Sequence, residues 1–378
     1  MNIALISISS LRNPKEATRI TIIELAQELI KKNHTVVIIC KKAKEYPRYE
    51  QIDQTPLYRT INPLLILSIG SSLALNKIQK KLNLKFDIIH NFSATPLFAL
   101  SNNFTRMFHP KIKIINTLKS NSRHTFGDNG YFLLNSADKI TIPTSSFLNN
   151  INPSLHPKIE IVPSPVNLNK FYPQNKTSLK KKYGYENNII ILHYGAMWKN
   201  KGTEILIQSM PDIIKEFPKV IFLFAPRYKE ISSIQQAIET SLNITKQEST
   251  SKINSPNYKI ITADIKIEEY VNLADLVVLP YLSLKGTESI PSCLLEAMAC
   301  KTPVVTTNLP EIKEIVKDTV LLADPNNSQS LSECIKRGIK NQDNQMIDKA
   351  YKMTQKYSTE KITNLFLKIY IKITTIKI

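Results

Sequence analysis

The feature that most constrains the fold is a regular alternation of short β-branched runs with longer amphipathic stretches. The chain opens with a predicted strand at Ile3–Ile8, a helix at Thr18–Lys32 and a strand at Thr35–Cys40. Within the helix, apolar residues recur from Ile22 at i, i+3, i+4 and i+7, which gives it one apolar face. Strands separated by helices of this length form parallel sheets covered by helices, so we expect an α/β protein.

The alternation runs through the chain twice. Further strands of the first round are predicted at Asp87–His90, Lys113–Asn116, Ile140–Pro143 and Ile159–Val162. The second round begins with a strand at Ile189–Tyr194 and a helix at Thr203–Glu216. Its later strands are predicted at Val220–Phe224, Lys259–Thr262, Leu276–Pro280 and Pro303–Thr306. A chain of 378 residues is long enough for two separate cores, so we expect two Rossmann-like domains facing a central cleft.

Prolines and the lysine run Lys180–Lys182 interrupt the pattern between the two rounds, which predicts a linker near residues 168–185. We therefore expect an N-terminal domain over 1–170 and a C-terminal domain over 171–355. The last segment, 356–378, is expected to be a helix that packs back on the first domain; a basic amphipathic membrane contact is the alternative.

Bulk composition fits a globular protein. Hydrophobic residues make up 42% and charged residues 21% of the chain, which argues against disorder. The four cysteines have no CxxC spacing, so we expect reduced core thiols in a cytoplasmic protein. Met1–Ser10 is expected to be a first strand, and the apolar run Pro63–Leu75 a core or interfacial helix too short to span a membrane.

The formal net charge of +19 is the strongest bulk feature, and it comes almost wholly from lysine, since only 8 of the 50 basic residues are arginine. Proteins that recognise nucleic acid rely on arginine for bidentate contacts, so a nucleic-acid partner is not expected. A solvated lysine-rich surface and an anionic membrane face both remain open.

The most informative segment runs from Lys285 to Thr307. A strand ending at Pro280 leads to a loop that carries Glu288, with Ser289 as the predicted N-cap of a helix and Pro291 in its first turn. The helix is predicted at Ser292–Cys300. Its free N–H groups and the positive end of its dipole suit a diphosphate, and Glu296 could accept hydrogen bonds from the hydroxyls of a ribose.

A second segment has the same layout. A strand runs into Gly195, a loop carries Lys199 and Lys201, and a helix begins at Gly202 and Thr203. A lysine in such a loop neutralises a phosphate as a point charge.

Together these segments resemble the family 4 glycosyltransferases, the retaining enzymes of the GT-B fold known as glycosyl transferases group 1. The family motif of two glutamates separated by seven residues, followed by Ala-Met-Ala and a Pro-Val-Val strand, appears here as Glu288-SIPSCLL-Glu296-AMACKTPVV. A weaker match, the family's hinge segment, spans Ile161 to Gln174. The resemblance implies transfer of a sugar from a UDP-, GDP- or ADP-sugar to an acceptor hydroxyl with retention, without a metal or other cofactor.

The resemblance also assigns roles. It implies that the domain over 1–170 is the acceptor side and that the domain over 171–355 binds the nucleotide sugar. It implies that Glu288 contacts the donor sugar and that Lys201 is the phosphate-binding lysine, and these two are the expected catalytic residues. Glu296 would hold the nucleotide ribose, and the other expected donor-binding residues are Ser289, Ile290, Gly195 and Arg227. The family's arginine, five residues before Lys201, is Ala196 here; Arg227 or Lys199 could replace that cation.

The N-terminal half departs most from the family. The usual Gly-rich loop after the first strand is replaced by Ser9-Ser10-Leu11-Arg12-Asn13-Pro14-Lys15, with no glycine. Arg12, His90 and His124 are candidates for the acceptor side, and for each histidine a purely structural role is the alternative.

Two functions therefore stay open on sequence alone. The first is a retaining glycosyltransferase with a glycan or lipid-linked acceptor of the cell surface, cytoplasmic or peripheral on an anionic membrane. The second is a catalytically silent GT-B homologue that binds a sugar nucleotide or a protein partner. A nicotinamide-binding protein is excluded, because the first strand–helix turn has no GxGxxG.

Overall fold

The computed structural model describes residues 1–7, 9–12, 16–61, 70–92, 97–119, 128–197, 199–227, 231–242, 254–255, 257–285, 288 and 290–374. By its internal contacts the chain divides into two compact units. The first comprises Met1–Pro165, Lys285–Ser289 and Thr359–Ile378, and the second comprises Val166–Leu284 and Ile290–Ser358. The short segment Lys285–Ser289 thus belongs to the first unit, although both of its sequence neighbours belong to the second.

The first unit is built on an eight-stranded sheet. Its strands are β1 (Asn2–Ser7), β2 (Thr35–Lys41), β3 (Tyr49–Ile52), β4 (Thr55–Ile61), β5 (Ile88–Asn91), β6 (Lys113–Thr117), β7 (Lys139–Ile142) and β8 (Ile159–Ile161). They lie in the order β3-β4-β2-β1-β5-β6-β7-β8, parallel apart from the antiparallel β3–β4 pair. The order reverses at β1, as in a doubly wound sheet.

Helices cover this sheet. They are α1 (Ala17–Lys31), α2 (Gly70–Leu82), α3 (Leu97–Phe108) and α4 (Asp128–Asn135), together with the helix Thr359–Thr374 from the end of the chain. The central strands carry continuous buried runs such as Ile3–Ile6 and Val36–Cys40. Such runs are typical of parallel strands with both faces covered, so the core follows directly from the β-branched pattern.

The second unit is built on a seven-stranded sheet. Its strands are β9 (Ile189–Gly195), β10 (Val220–Pro226), β11 (Asn254–Ser255), β12 (Tyr258–Ile260), β13 (Leu276–Leu279), β14 (Val304–Thr307) and β15 (Leu321–Ala323). They lie in the order β11-β12-β10-β9-β13-β14-β15, parallel apart from the antiparallel β11–β12 pair. The order reverses between β9 and β13, which makes this the switch point of the sheet.

The helices of the second unit are α5 (Lys176–Tyr183), α6 (Thr203–Glu216), α7 (Ile231–Ser241), α8 (Ile267–Leu273), α9 (Ser292–Ala299), α10 (Pro310–Val316), α11 (Ser328–Lys340) and α12 (Asn344–Thr354). The closing helix of the first unit, Thr359–Thr374, is α13. Several begin at a side-chain cap: Asn327 accepts from the Ser330 N–H before α11, and Asp343 accepts from two N–H groups before α12.

The predicted linker near 168–185 contains a helix that the sequence analysis did not predict. Helix α5 lies inside it, with the Asn175 side chain accepting from the Ser178 N–H at its start. Gly184, in the left-handed region at φ 74°, ends the helix. The lysines that suggested a linker are part of this helix, and Lys180 pairs with Asp275 of the same unit.

Other predictions fall partly outside the described residues. Of the apolar run Pro63–Leu75, only the part from Gly70 onward is described, and it forms the start of α2. None of the described helices combines the length and apolar character needed to cross a membrane. All four cysteines lie in the described part of the chain and are free thiols, as expected, three of them buried.

Candidate functional site

The switch point of the second sheet brings two loops of the second unit together. One loop follows β9 and the other follows β13, and the carboxyl ends of parallel strands are where doubly wound folds bind ligands. The Leu282 N–H donates to the Asn200 carbonyl at 2.9 Å, which joins the two loops directly. This edge of the sheet is therefore where sequence and topology together place a site.

A glycine is required where the first loop enters α6. Gly202 lies in the left-handed region at φ 71°, and a Cβ built on it would sit 1.7 Å from the carbonyl oxygen of Pro280. No side chain fits at that distance. Gly202 therefore lets the β9 loop approach the β13 loop at van der Waals contact.

A buried histidine fixes the geometry beneath these loops. The Nδ1 of His193 lies 2.8 Å from the Val278 carbonyl and its Nε2 lies 2.9 Å from the Thr203 hydroxyl. Burial lowers the pKa of His193 to about 4, so the ring is neutral at pH 7. A neutral ring donates to the carbonyl and accepts from the hydroxyl, which ties β9, β13 and the first residue of α6 together.

Lys201 lies at the end of the first loop, directly before Gly202 and α6. Its Nζ lies 4.8 Å from the centre of the Tyr281 ring, a cation–π contact between the two loops. The residue is half-buried, so its charge is held near the switch point and not dispersed in solvent. This is the position that the sequence predicted for a phosphate-binding lysine.

Helix α9 begins at Ser292, the predicted start, but its N-cap lies two residues after the predicted N-cap, Ser289. Its N-cap is Pro291, which makes no side-chain hydrogen bond to the first turn, so the prediction that Pro291 lies within that turn is wrong. Ser289, the predicted cap, lies outside the described residues. Ile290 is buried, with 1% of its surface exposed. The first N–H groups of α9 therefore receive no side-chain cap from Pro291.

Tyr194 holds the glutamate of α9. Its hydroxyl lies 3.0 Å from a carboxylate oxygen of Glu296 and 2.9 Å from the Cys293 carbonyl. Burial raises the pKa of Tyr194 well above its ordinary value, with the Glu296 charge adding to the effect, so the hydroxyl stays protonated and donates. Tyr194, near the carboxyl end of β9, thereby orients the Glu296 carboxylate.

Cations surround the same region. Burial raises the pKa of the Cys293 thiol to about 12; the charge of Glu296 adds to this rise, while Arg227 and Lys201 oppose it. Both cations therefore act on a group in the first turn of α9. Arg227 is anchored by its own N–H, which donates to the Gly195 carbonyl at 2.7 Å. The structure thus places Arg227 beside the strand whose expected arginine is replaced by Ala196; nothing is described of the Lys199 side chain.

Glu288 lies in the first unit. Its carboxylate is 3.2 Å from the Nζ of Lys119, and both side chains are largely buried, with 19% and 14% of their surfaces exposed. Lys119 follows β6 and also lines a pocket at the carboxyl end of the first sheet, together with Phe92, Pro165 and Phe366. The second catalytic candidate is thus held by an ion pair that the motif alone did not reveal.

The loop after β1, which has no glycine, is stabilised in another way. Leu11 takes the left-handed conformation at φ 50°, where glycine is usual, and is fully buried. The guanidinium groups of Arg59 and Arg19 both donate to the Leu11 carbonyl, and Arg59 also donates to the Ser10 carbonyl at 3.1 Å. Arg12, the acceptor-side candidate, is exposed beside it.

His90 is a core residue, which differs from the expectation that it lies at the edge of a cleft. Its surface is fully buried, with Nδ1 2.6 Å from the Tyr370 hydroxyl of α13 and Nε2 2.5 Å from the Thr117 hydroxyl. Burial lowers its pKa to about 3, with Lys119 adding a smaller effect. The ring joins α13 to the sheet, and His124 lies outside the described residues.

Sequence reasoning missed Tyr194, His193, Tyr281 and Lys119. The sequence held a weak signal for His193 and Tyr194. They are polar residues near the end of an otherwise apolar strand, and such residues need hydrogen-bond partners when buried. Within the described residues, no group of three or more His, Cys, Asp or Glu side chains could hold a metal ion.

Comparison with known proteins agrees with this architecture. The sequence profile of glycosyl transferases group 1 matches residues 175–353, and that of glycosyltransferase family 4 matches residues 19–170. The chain is 23% identical over 368 residues to N-acetyl-alpha-D-glucosaminyl L-malate synthase of Bacillus anthracis, covering 92% of this chain and 91% of that protein. It is 27% identical over 290 residues to the putative glycosyltransferase YtcC of Bacillus subtilis, covering 72% and 68%.

Among solved structures, Anabaena Alr3699/HepE in complex with UDP superimposes with a TM-score of 0.75 at 16% identity, covering 98% of this chain and all of that one. Two doubly wound domains of this strand order define the GT-B fold. The chain belongs to the family 4, group 1 glycosyltransferases.

Proposed function

We propose that the chain transfers a glycosyl group from a nucleoside diphosphate sugar to an acceptor hydroxyl with retention at the anomeric carbon. The observation that carries the proposal is the arrangement at the β9–β13 switch point. Lys201 and Arg227 both act electrostatically on the first turn of α9, where the positive end of the helix dipole lies. Two cations beside a helix N-terminus suit the negative charge of a diphosphate.

The remaining groups fit the rest of a donor. Glu296, oriented by the Tyr194 hydroxyl, has a carboxylate that would accept hydrogen bonds from the two hydroxyls of a ribose. Glu288 corresponds to the motif glutamate that contacts the donor sugar. UDP-sugars are the first donors to test, because a solved relative of the same fold is a complex with UDP.

The chemistry needs little from the protein besides charge stabilisation. The bond between the anomeric carbon and the diphosphate oxygen breaks, and the acceptor oxygen forms a bond on the same face of the sugar. The acceptor proton passes to the leaving diphosphate. Lys201, Arg227 and the α9 N–H groups would stabilise the negative charge that develops on that leaving group, the role that a metal ion plays elsewhere.

For the acceptor we propose a lipid-linked or cell-surface glycan, with the protein peripheral on an anionic membrane. The support is the net charge of +19 and the lysine-rich composition.

The test is a donor screen. Purified protein is incubated with UDP-, GDP- and ADP-sugars, and release of the free nucleoside diphosphate is measured for the wild type and for Glu288→Gln. Glu45→Gln, an exposed glutamate of the first unit, is the matched control. We expect release from one donor class, a loss of roughly 100-fold in Glu288→Gln and no change in the control. Nucleotide binding without release from any donor would overturn the proposal and favour the silent homologue.

A further inference from the structure

Helix α3 of the first unit has its polar side inside and its apolar side outside. Its buried face carries Ser101, Asn102 and Thr105, each with no more than 3% of its surface exposed. The helix also carries an apolar row at i, i+4, i+7 and i+8 that is exposed to solvent. We call this row, Leu100, Phe104, Met107 and Phe108, the α3 stripe.

The orientation of α3 is fixed by hydrogen bonds on its polar side. Asn102 donates to the Ser136 hydroxyl at 2.8 Å and accepts from the Asn91 amide at 3.2 Å. Ser101 is bonded to Ser71 of α2. A rotation that buried the stripe would break this network and leave buried polar groups unpaired, so the exposure of the stripe is built into the fold.

Neighbouring helices extend the stripe into a surface. Helix α2 lies beside α3, since Ser71 meets Ser101 near one end and both Asn76 and Gln79 meet His109 at the other. It adds exposed Leu73, which has 50% of its surface accessible. Helix α4 packs on the other side of α3 and adds exposed Tyr131 and Phe132.

Seven of the 14 large exposed hydrophobic residues of the described chain therefore lie on three adjacent helices. Single exposed apolar residues are ordinary, but their concentration on helices that pack together indicates an interaction surface. Phe, Tyr, Leu and Met are the side chains that enter the boundary between lipid headgroups and acyl chains.

The charged residues of α2 and α3 are all basic, whereas α4 begins with Asp128. Residues 70–113 contain seven basic residues and one acidic residue, Asp87, whose carboxylate accepts from the Asn2 N–H at 2.7 Å. Lys77 and Lys80 lie on the same exposed side of α2 as Leu73, and exposed Lys111 follows α3. An apolar row bordered by lysines complements an anionic bilayer, in which acyl chains lie beneath negative headgroups.

We propose that the α3 stripe, with Leu73, Tyr131 and Phe132, is the surface by which the protein docks on an anionic lipid bilayer. The apolar side chains enter the headgroup boundary while Lys77, Lys80 and Lys111 contact lipid phosphates. This deepens the membrane part of the proposed function, and its test uses lipid binding, which is measured separately from donor turnover.

The experiment is sedimentation of the full chain with phosphatidylglycerol–phosphatidylcholine vesicles and with pure phosphatidylcholine vesicles at physiological salt. The stripe variant is Phe104→Ser/Met107→Ser/Phe108→Ser. Its matched control, Leu365→Ser/Ile371→Ser, removes exposed apolar residues from α13 of the same unit. A charge variant, Lys77→Gln/Lys80→Gln/Lys111→Gln, is compared with Lys42→Gln/Lys44→Gln.

We expect the wild type and both controls to bind the anionic vesicles, and the stripe variant to bind at least about tenfold more weakly. The charge variant should lose most of the preference for phosphatidylglycerol. Nucleoside diphosphate release without vesicles should be unchanged in the stripe variant, which separates a failure of docking from a failure of the active site.

Three results would overturn the proposal. The first is a wild type that stays in the supernatant with anionic vesicles. The second is a stripe variant that sediments like the wild type while its circular dichroism and thermal unfolding are native. The third is self-association of the wild type in sedimentation velocity that the stripe variant abolishes, which would assign the surface to a second copy of the chain.

Discussion

The Nζ of Lys119 lies 3.2 Å from the carboxylate of Glu288, and both residues belong to the first unit. The two are 169 positions apart in the sequence, so the fold alone brings them together. Exposed ion pairs contribute little, but this pair is largely buried, where a fixed partner defines the direction of a carboxylate. Lys119 is therefore a positioning residue for Glu288.

Lys119→Gln should lower kcat by about tenfold, because an uncharged amide holds the Glu288 carboxylate less firmly. Lys119→Arg keeps a cation and should recover part of the loss. Steady-state donor turnover checks this, with Lys44→Gln as an exposed control. Equal kcat values for Lys119→Gln and the wild type would contradict a positioning role.

Tyr194→Phe should weaken donor binding by about tenfold, since it removes a hydrogen bond to the charged Glu296 carboxylate. The change should appear mainly in KM for the donor, because Glu296 is proposed to bind the ribose and not the reacting atoms. Tyr185→Phe, another buried tyrosine of the same core cluster, is the control. A wild-type KM in Tyr194→Phe would remove Glu296 from the donor site.

Alanine substitutions at two glycines of the second unit can distinguish the cost of backbone strain from the cost of a steric clash. Gly184 and Gly202 have nearly the same φ, 74° and 71°, but a Cβ on Gly184 meets nothing within 4 Å. Gly184→Ala should therefore cost only about 1–2 kcal/mol of unfolding free energy, the penalty of a left-handed alanine. Gly202→Ala should cost clearly more, because Pro280 must move. Chemical denaturation of both variants checks this, and equal losses would contradict the close approach of the two loops.

Acid should destabilise the protein through two buried histidines. Burial lowers the pKa of His90 to about 3 and that of His193 to about 4, whereas both rings have their ordinary pKa near 6.5 when unfolded. Below pH 6.5 the unfolded chain binds protons that the folded chain does not. Stability is therefore constant above the unfolded pKa and falls as the pH drops towards the folded values, by up to about 1.4 kcal/mol per pH unit for each ring.

Urea unfolding at about pH 7.5 and 5.5 measures this loss. His90→Asn and His193→Asn should each be less stable at neutral pH but should lose less on acidification than the wild type. An unchanged pH dependence in both variants would show that other groups carry it.

The alternation of apolar runs was sufficient to predict most of the two sheets, because parallel strands buried on both faces leave a strong pattern. The helix Thr203–Glu216 was predicted with its observed bounds, since Gly202 precedes it and Pro218 follows soon after it. The β3–β4 hairpin was missed: β4 carries Pro56 near its start, and its partner β3 is a short edge strand. Helix α5 was missed because its lysine-rich composition hid a helix capped at both ends.

The site was predictable only in part, because the sequence shows local motifs but not which distant residues pack against them. Glu296 and Lys201 stand in local motifs, so their elements could be placed from the sequence. The partners that orient the carboxylates, Tyr194 for Glu296 and Lys119 for Glu288, are distant in sequence and follow from packing. The exposed α3 stripe was likewise hidden, because periodicity shows that a helix has an apolar face but not which way that face points.

The central claim is that the donor diphosphate binds at the β9–β13 switch point. Calorimetric titration of the wild type with the nucleoside diphosphate product tests it most directly, alongside Lys201→Gln and Lys215→Gln, an exposed lysine of the same helix region. The account predicts that Lys201→Gln binds roughly 10- to 100-fold more weakly and that Lys215→Gln binds like the wild type. Unchanged affinity in a folded Lys201→Gln variant would contradict the assignment of this site.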